Sequence, residues 1–373
     1  MRYIRFLKVP KGDSKSIFCV ITITSDLGHS FLAEDVALSA TLQSPKDRGD
    51  IFLRKSFTWT AGMRALPVTF DLRHCDLDWP VVVHVGPKGQ LADCFETQLT
   101  GAELPAVISV LSAPLHFPGG VYEAEKKVQR RLVPLSNRPL KIWEETGESI
   151  ARHIWDAGVG LAAFFDKIVA MQFESSPLLV STLSSASYRK LNVLELGCGC
   201  GIVGISLAQI IPDCHVWMTD LPEAREIAQK NIATMNPAMA SSARFETLDW
   251  DKPLPQAIEH QSYDMIVVSD CTYNPDSSPA LVKTLLALVA RSPKAIVVLA
   301  MKVRHESEAI FFDLMAKAGF LTATTAWQPL PCERTDYDSA TKVDIYIFHY
   351  MTRPKTAEPP FFMADGSGGF WQK

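Results

Sequence analysis

Three glycines, Gly197, Gly199 and Gly201, stand in the run Val193-Leu-Glu-Leu-Gly-Cys-Gly-Cys-Gly-Ile-Val-Gly204 and carry the clearest chemical signal in the chain. An apolar strand-like stretch precedes them and an apolar helix-like stretch follows, the context in which a glycine turn holds a nucleotide. Without Cβ atoms, these positions let the backbone approach a ligand and adopt dihedrals that side chains forbid. Gly199, Gly201 and Gly204 also satisfy GxGxxG, the dinucleotide fingerprint. Glu195 argues against a dinucleotide, because a carboxylate at the strand tip beside the turn repels a pyrophosphate. The same charge tolerates a zwitterionic amino-acid group bearing a sulfonium. The next strand ends in Asp220, about twenty residues past the glycines, where a carboxylate can take both ribose hydroxyls. The turn therefore suits S-adenosylmethionine better than NAD.

Two later runs agree. In Thr247-Leu-Asp-Trp250, Asp249 can accept from an adenine amine and Trp250 can stack on the ring. In Ser269-Asp-Cys-Thr-Tyr273, Asp270 and Tyr273 follow a strand and fall over the same sheet edge. Ligands of open α/β sheets bind outside the carboxyl ends of the strands, so these groups are expected around one cavity. No metal site is expected. Cys198 with Cys200, and His74 with Cys75, each lack the third and fourth ligands that a metal requires.

The elements that must position these residues read in two parts. Residues 1–115 are expected to form a β-rich domain, with strand-like runs at Ile17–Thr24, Val68–Leu72 and Val81–Val85 separated by turn clusters. Residues 116–145, with the charged stretch Glu123 to Arg131, read as a connector. Residues 146–352 are expected to form the cofactor domain, and 353–373 a flexible tail. Apolar positions from Ser149 to Phe165 repeat at helical spacing, and the serine-rich segment 174–187 reads as a loop. Strands are expected at Leu191–Leu196, His215–Thr219, Ala243–Thr247, Met265–Ser269, Ala295–Ala300, Leu321–Ala326 and Val343–His349. The helices between them imply a parallel sheet covered on both faces. The last two strands lack a long intervening helix and should form an antiparallel pair.

Composition sets limits on the rest. The 373 residues are 47% hydrophobic and 21% charged, with a net charge of −4, which gives no broad basic surface for nucleic acid. No apolar run reaches the ~18 residues of a membrane span. Eight scattered cysteines fit reduced thiols, and so a cytoplasmic or nuclear location.

These motifs resemble the seven-strand methyltransferases. The resemblance is closest to the lysine methyltransferase family that includes the methyltransferase-like-21 and -22 proteins and the fungal elongation-factor methyltransferases. It spans roughly Trp143 to Tyr350 and rests on Glu195-Leu-Gly-Cys-Gly-Cys-Gly201, Thr219-Asp-Leu-Pro222, Leu248-Asp-Trp250 and Asp270-Cys-Thr-Tyr273. Trp155-Asp-Ala157 and Met301-Lys-Val-Arg304 support it. The resemblance implies an α/β fold with a Rossmann-like seven-strand sheet, S-adenosylmethionine as cofactor, and a protein substrate such as a translation factor or chaperone. It also implies that Asp270 and Tyr273 lie beside the acceptor lysine and that Trp155 helps close the cofactor pocket.

Three rivals remain at this level: methylation of a small molecule, nucleic acid or another protein residue, an NAD-dependent oxidoreductase, and a non-catalytic module on the same fold. The β-rich domain lies outside the resemblance. It is expected either to dock the substrate or to cover an apolar face of the sheet, and a chain starting near Leu115 is expected to keep its cofactor affinity.

Overall fold

The computed structural model describes residues 1–351 apart from 47–48, 90–92, 99–100, 117–119, 146, 148, 171–175 and 332–340. The expected flexible tail, 353–373, lies outside the described residues.

The β-rich part is a sandwich. Arg2–Gly12, Ser16–Thr24 and Leu66–Asp71 pair antiparallel in one sheet, with Val107–Ile108 beside the first of them. A second sheet runs in the order Leu140–Glu145, Lys127–Val133, Val110–Ser112, Val82–Pro87, Val36–Gln43, Ile51–Trp59. Strand alternation builds the core. Ile17, Cys19, Ile21 and Ile23 point inward from one sheet and share that core with Leu38, Ala40 and Leu42 of the other.

The segment 116–145 is not a connector. Lys127–Val133 and Leu140–Glu145 form an antiparallel hairpin inside the second sheet, so the sandwich continues to Glu145. One charge of the stretch that suggests a linker is satisfied inside the fold. Arg130 is buried, bonds Glu144 at 2.7 Å, and donates to the carbonyls of Ile4 and Ser109 at 2.7 and 2.8 Å. Burial alone would push the Glu144 carboxyl up, but the Arg130 guanidinium, with His153 and Arg5, holds it below the usual range. The hairpin also faces the other domain: Leu132, Leu140 and Ile142 share a core with Ala157, Leu161 and Phe165.

The second domain is one seven-stranded sheet: β1 Leu191–Leu196, β2 Cys214–Asp220, β3 Ser242–Thr247, β4 Met265–Ser269, β5 Ile296–Met301, β6 Phe320–Pro329 and β7 Lys342–Tyr350. Its order is β3-β2-β1-β4-β5-β7-β6, with β7 antiparallel to both β5 and β6. β5 is buried at every position, the continuous apolar run of a strand covered on both faces. The helices are α1 Asp156–Val169, α2 Pro177–Ser184, α3 Ile202–Ile210, α4 Arg225–Thr234, α5 Ser278–Arg291 and α6 Ile310–Ala318, with a short turn at Gln256–Glu259.

Two local expectations give way. Helix α2 stands where serine-rich composition predicts a loop, because Leu179 and Leu183, one turn apart, are buried and Pro177 starts the helix. The single helix expected from Ser149 is broken into a 3-10 turn, Ile150–Arg152, and α1. Between them Ile154 donates its N–H to the buried Glu144 carboxylate at 2.9 Å and Trp155 is extended, so the helical ladder cannot run through.

Candidate cofactor cleft and active site

The strand order reverses direction between β1 and β4, and a crevice opens there beyond the carboxyl ends of the strands. The crevice is a cavity of about 570 Å³ lined by Trp155, Glu195, Gly197, Gly199, Asp220, Asp249, Trp250, Asp270 and Tyr273. These residues come from four strand ends and the turn before α1, so separate motifs in the sequence converge in space.

The turn after β1 explains its glycines. Gly197 has φ +65°, and a Cβ there would lie 2.4 Å from the Cys271 thiol that closes in from the end of β4. Gly201 has φ +81° and caps α3, and a Cβ there would strike the Met218 methyl at 2.0 Å. Gly201 does not line the cavity. Packing under the turn by itself requires a glycine there.

The acidic groups differ in what they can do. Asp220 accepts the Gly199 N–H and the Leu221 N–H, each at 2.7 Å, which fixes the carboxylate at the rim with acceptor capacity left for hydroxyls. Glu195 is 2% exposed, and one carboxyl oxygen accepts the Gly204 N–H at 3.0 Å, inside the first turn of α3. Burial pushes the Glu195 carboxyl up to about 8, with repulsion from Asp220 adding to it. Asp249 accepts the Asp251 N–H and pairs with Lys252 at 2.9 Å. Cys198 and Cys200 are buried, and burial raises both thiols well above their usual range. Among the described residues no three His, Cys, Asp or Glu side chains come together as a metal site.

Asp270 stands differently from what its motif suggests. Its φ is +56°, an uncommon conformation for a residue with a side chain, and both of its carboxylate oxygens are held by Arg304 at 2.5 and 2.7 Å. Arg304 also reaches Asp26 of the sandwich at 3.0 Å. Lys302 bridges Asp26 at 3.4 Å and Asp156 at 2.7 Å. Tyr273 is 51% exposed beside this network, and burial of its ring side, then the nearby Cys271, Asp220 and Asp270, raises its phenol above the ordinary value. Trp155 donates its indole N–H to the Ile150 carbonyl at 3.1 Å, with the Arg304 guanidinium 5.9 Å from its ring centre.

Sequence reasoning misses Ser269. The residue borders the cleft, and its buried hydroxyl has no hydrogen-bond partner among the described residues. A buried hydroxyl without a partner beside a cavity is satisfied by an ordered water or by a polar ligand. A single serine at a strand end gives no signal of this in sequence.

Residues 134–318 match the family described as lysine methyltransferase. This part of the chain belongs to that family. The lysine methyltransferase domain thus begins within the hairpin loop ahead of Leu140–Glu145 and contains the whole cleft from Trp155 to Tyr273. The chain is 29% identical over 317 residues to the UPF0665 family protein C23C4.06c of Schizosaccharomyces pombe, covering 83% of this chain and 91% of that protein. That span exceeds the methyltransferase domain, so the likeness takes in part of the sandwich. Two further relatives are EEF1A lysine methyltransferase 3 of Xenopus tropicalis and protein-lysine N-methyltransferase EFM6 of Saccharomyces cerevisiae. Each is 29% identical, over 46% and 47% of this chain and 68% and 73% of theirs.

The cofactor of this domain is S-adenosylmethionine, and the cleft has the donors and acceptors for it. Asp220 with acceptor capacity left, the Trp250 ring and the backbone of the glycine turn all line it.

Proposed function

We propose that the protein transfers the methyl group of S-adenosylmethionine to the side-chain amine of a lysine in a protein substrate. The observation that carries this is the part of the cleft formed by Trp155, Asp270 and Tyr273. Trp155, Asp270 and Tyr273 line at once the cofactor cavity and a second cavity beside it, so the two adjoin at these residues.

When bound, S-adenosylmethionine supplies a methyl carbon attached to a positively charged sulfur. The new N–C bond forms as the C–S bond breaks, its electron pair stays on sulfur, and the amine proton passes to water. The chain's own residues align the amine with that carbon and keep competing water out. A lysine has an ordinary pKa near 10.4, and burial between Trp155 and Tyr273 favours its neutral, nucleophilic form. Tyr273, with its phenol raised, stays protonated at neutral pH and offers an oxygen or a ring face rather than a base. Asp270, with both oxygens on Arg304, orients the Cys271–Tyr273 segment instead of deprotonating the amine.

Relatives named for EEF1A and for protein-lysine methylation support a translation factor as substrate, and such a substrate would set the reaction in the cytoplasm or nucleus. The test is incubation of the purified protein with methyl-labelled S-adenosylmethionine and a lysate of its own cells lacking the gene. Mass spectrometry should find the label on a lysine of a discrete protein. Label confined to nucleic acid or to small molecules would sink the reading.

A further inference from the structure

The second cavity, about 820 Å³, is lined by residues of both the sandwich and the methyltransferase domain, and it adjoins the cofactor cavity at Trp155, Asp270 and Tyr273. One wall comes from the sandwich: Phe6 and Leu7 on Arg2–Gly12, and Leu27 and Phe31 on the turn after Ser16–Thr24. Leu7 is 56% exposed and Leu27 48%, and across the opening Ile150 is 57% exposed. Large apolar side chains gathered around one opening, rather than scattered singly, mark a surface meant to be covered.

The charges along the same cavity tell what covers it. Asp26 and Asp270 are held by Arg304, Glu144 by Arg130, and Glu145 by Arg152. Glu308 accepts the backbone N–H groups of Arg304 and His305 at 3.0 and 3.1 Å. Every carboxylate facing the cavity is thus already engaged. A highly cationic segment would find only the buried Glu308 without a cationic partner among the described residues, whereas an apolar one would bury surface without breaking an ion pair.

We propose that the sandwich forms the acceptor-side wall of the active site, with Leu7, Leu27 and Phe31 receiving apolar side chains that flank the target lysine in an extended segment of the substrate protein. This rests on the proposed lysine methylation. The lysine stem enters from the sandwich side and passes between Trp155 and Tyr273 into the cofactor cleft. Selectivity then resides in a domain whose strands lie far from the glycine turn in sequence.

Two experiments test it. The first uses an S-adenosylhomocysteine analogue whose sulfur is replaced by a nitrogen carrying an alkyl arm that ends in a diazirine. Irradiated with the full-length protein, the arm should cross-link residues 5–7 or 22–31. Cross-links confined to the methyltransferase domain would overturn the proposal. Failure of both the analogue and S-adenosylmethionine to bind would instead overturn the function from which it starts. The second uses Leu7→Asp and Leu27→Asp, both at exposed positions that tolerate charge. Label transfer to protein in the lysate should fall at least tenfold while calorimetric affinity for S-adenosylmethionine stays within twofold. Transfer at the native rate by both variants would refute the docking wall.

Discussion

At the scale of single residues, the proposed reaction assigns Asp220 to the cofactor and Tyr273 to the acceptor, and substitutions should divide the same way. Asp220→Ala removes a carboxylate fixed by two backbone N–H groups and should weaken S-adenosylmethionine binding by about 1.5–3 kcal/mol, the range for hydrogen bonds to a charged group. Calorimetry showing unchanged affinity would remove Asp220 from the site. Tyr273→Ala should leave that affinity alone and lower turnover about 100-fold, the loss expected when a reacting group is misplaced. If cofactor binding fell instead, Tyr273 would belong to the cofactor side.

Glu195 gives a test in pH. Its carboxyl is raised from an ordinary 4.5 to about 8 in the folded protein, first by burial. The folded state therefore binds this proton more tightly than the unfolded chain. The associated stability is complete below 4.5 and is lost as pH rises through about 8. Glu195→Gln stays neutral throughout, so its melting temperature should fall less steeply than that of the native protein across this window. Parallel slopes would mean that Glu195 is already ionised in the fold. Sequence exposes Glu195, Asp220, Asp270 and Tyr273 because each ends a strand beside a short local pattern. It hides Ser269, whose only signal is an unpaired hydroxyl, and the link from Arg304 to Asp26, which joins residues 278 positions apart.

At the scale of elements, strands and helices of the cofactor domain are legible because continuous apolar strands alternate with amphipathic helices. The hairpin Lys127–Glu145 is not, because Arg130 and Glu144 read as solvated charges when they are paired in the interior. Arg130 and Glu144 are 1% and 2% exposed, and the pair ties the two sandwich sheets to the turn that leads into α1. Arg130→Met leaves a buried carboxylate without its partner and should destabilise the protein by about 3–5 kcal/mol. The double variant Arg130→Met, Glu144→Leu should recover much of that loss. Denaturant unfolding of the two variants checks this, and a single variant as stable as the native chain would show that the pair is solvated. Asn231 on α4 makes a second tie, accepting the Trp143 N–H at 2.8 Å and donating to the Trp143 carbonyl at 2.9 Å.

At the scale of the whole molecule, the boundary near residue 115 that composition suggests would cut through a sheet. Val110–Ser112 pairs with Lys127–Val133 on one side and Val82–Pro87 on the other, so a chain starting there keeps the hairpin but loses its neighbours. Arg130 would lose the Ile4 and Ser109 carbonyls, and Val128 would lose the sandwich core that covers it. Tyr3, which donates its hydroxyl to the buried Asp156 at 2.8 Å, would leave that carboxylate facing a void at the start of α1. The truncated chain should therefore be insoluble or lack a cooperative unfolding transition. That outcome replaces the retained cofactor affinity expected from the self-contained look of the glycine-turn domain. It also means that covering the sheet and docking a substrate are not rival roles, since the strand that supplies Leu7 also carries Tyr3 into the shared core. Sedimentation and circular dichroism of a chain beginning at residue 116, beside the full-length protein, decide the matter. A soluble, cooperatively folding truncation with native affinity for S-adenosylmethionine would show that the domain stands without the sandwich.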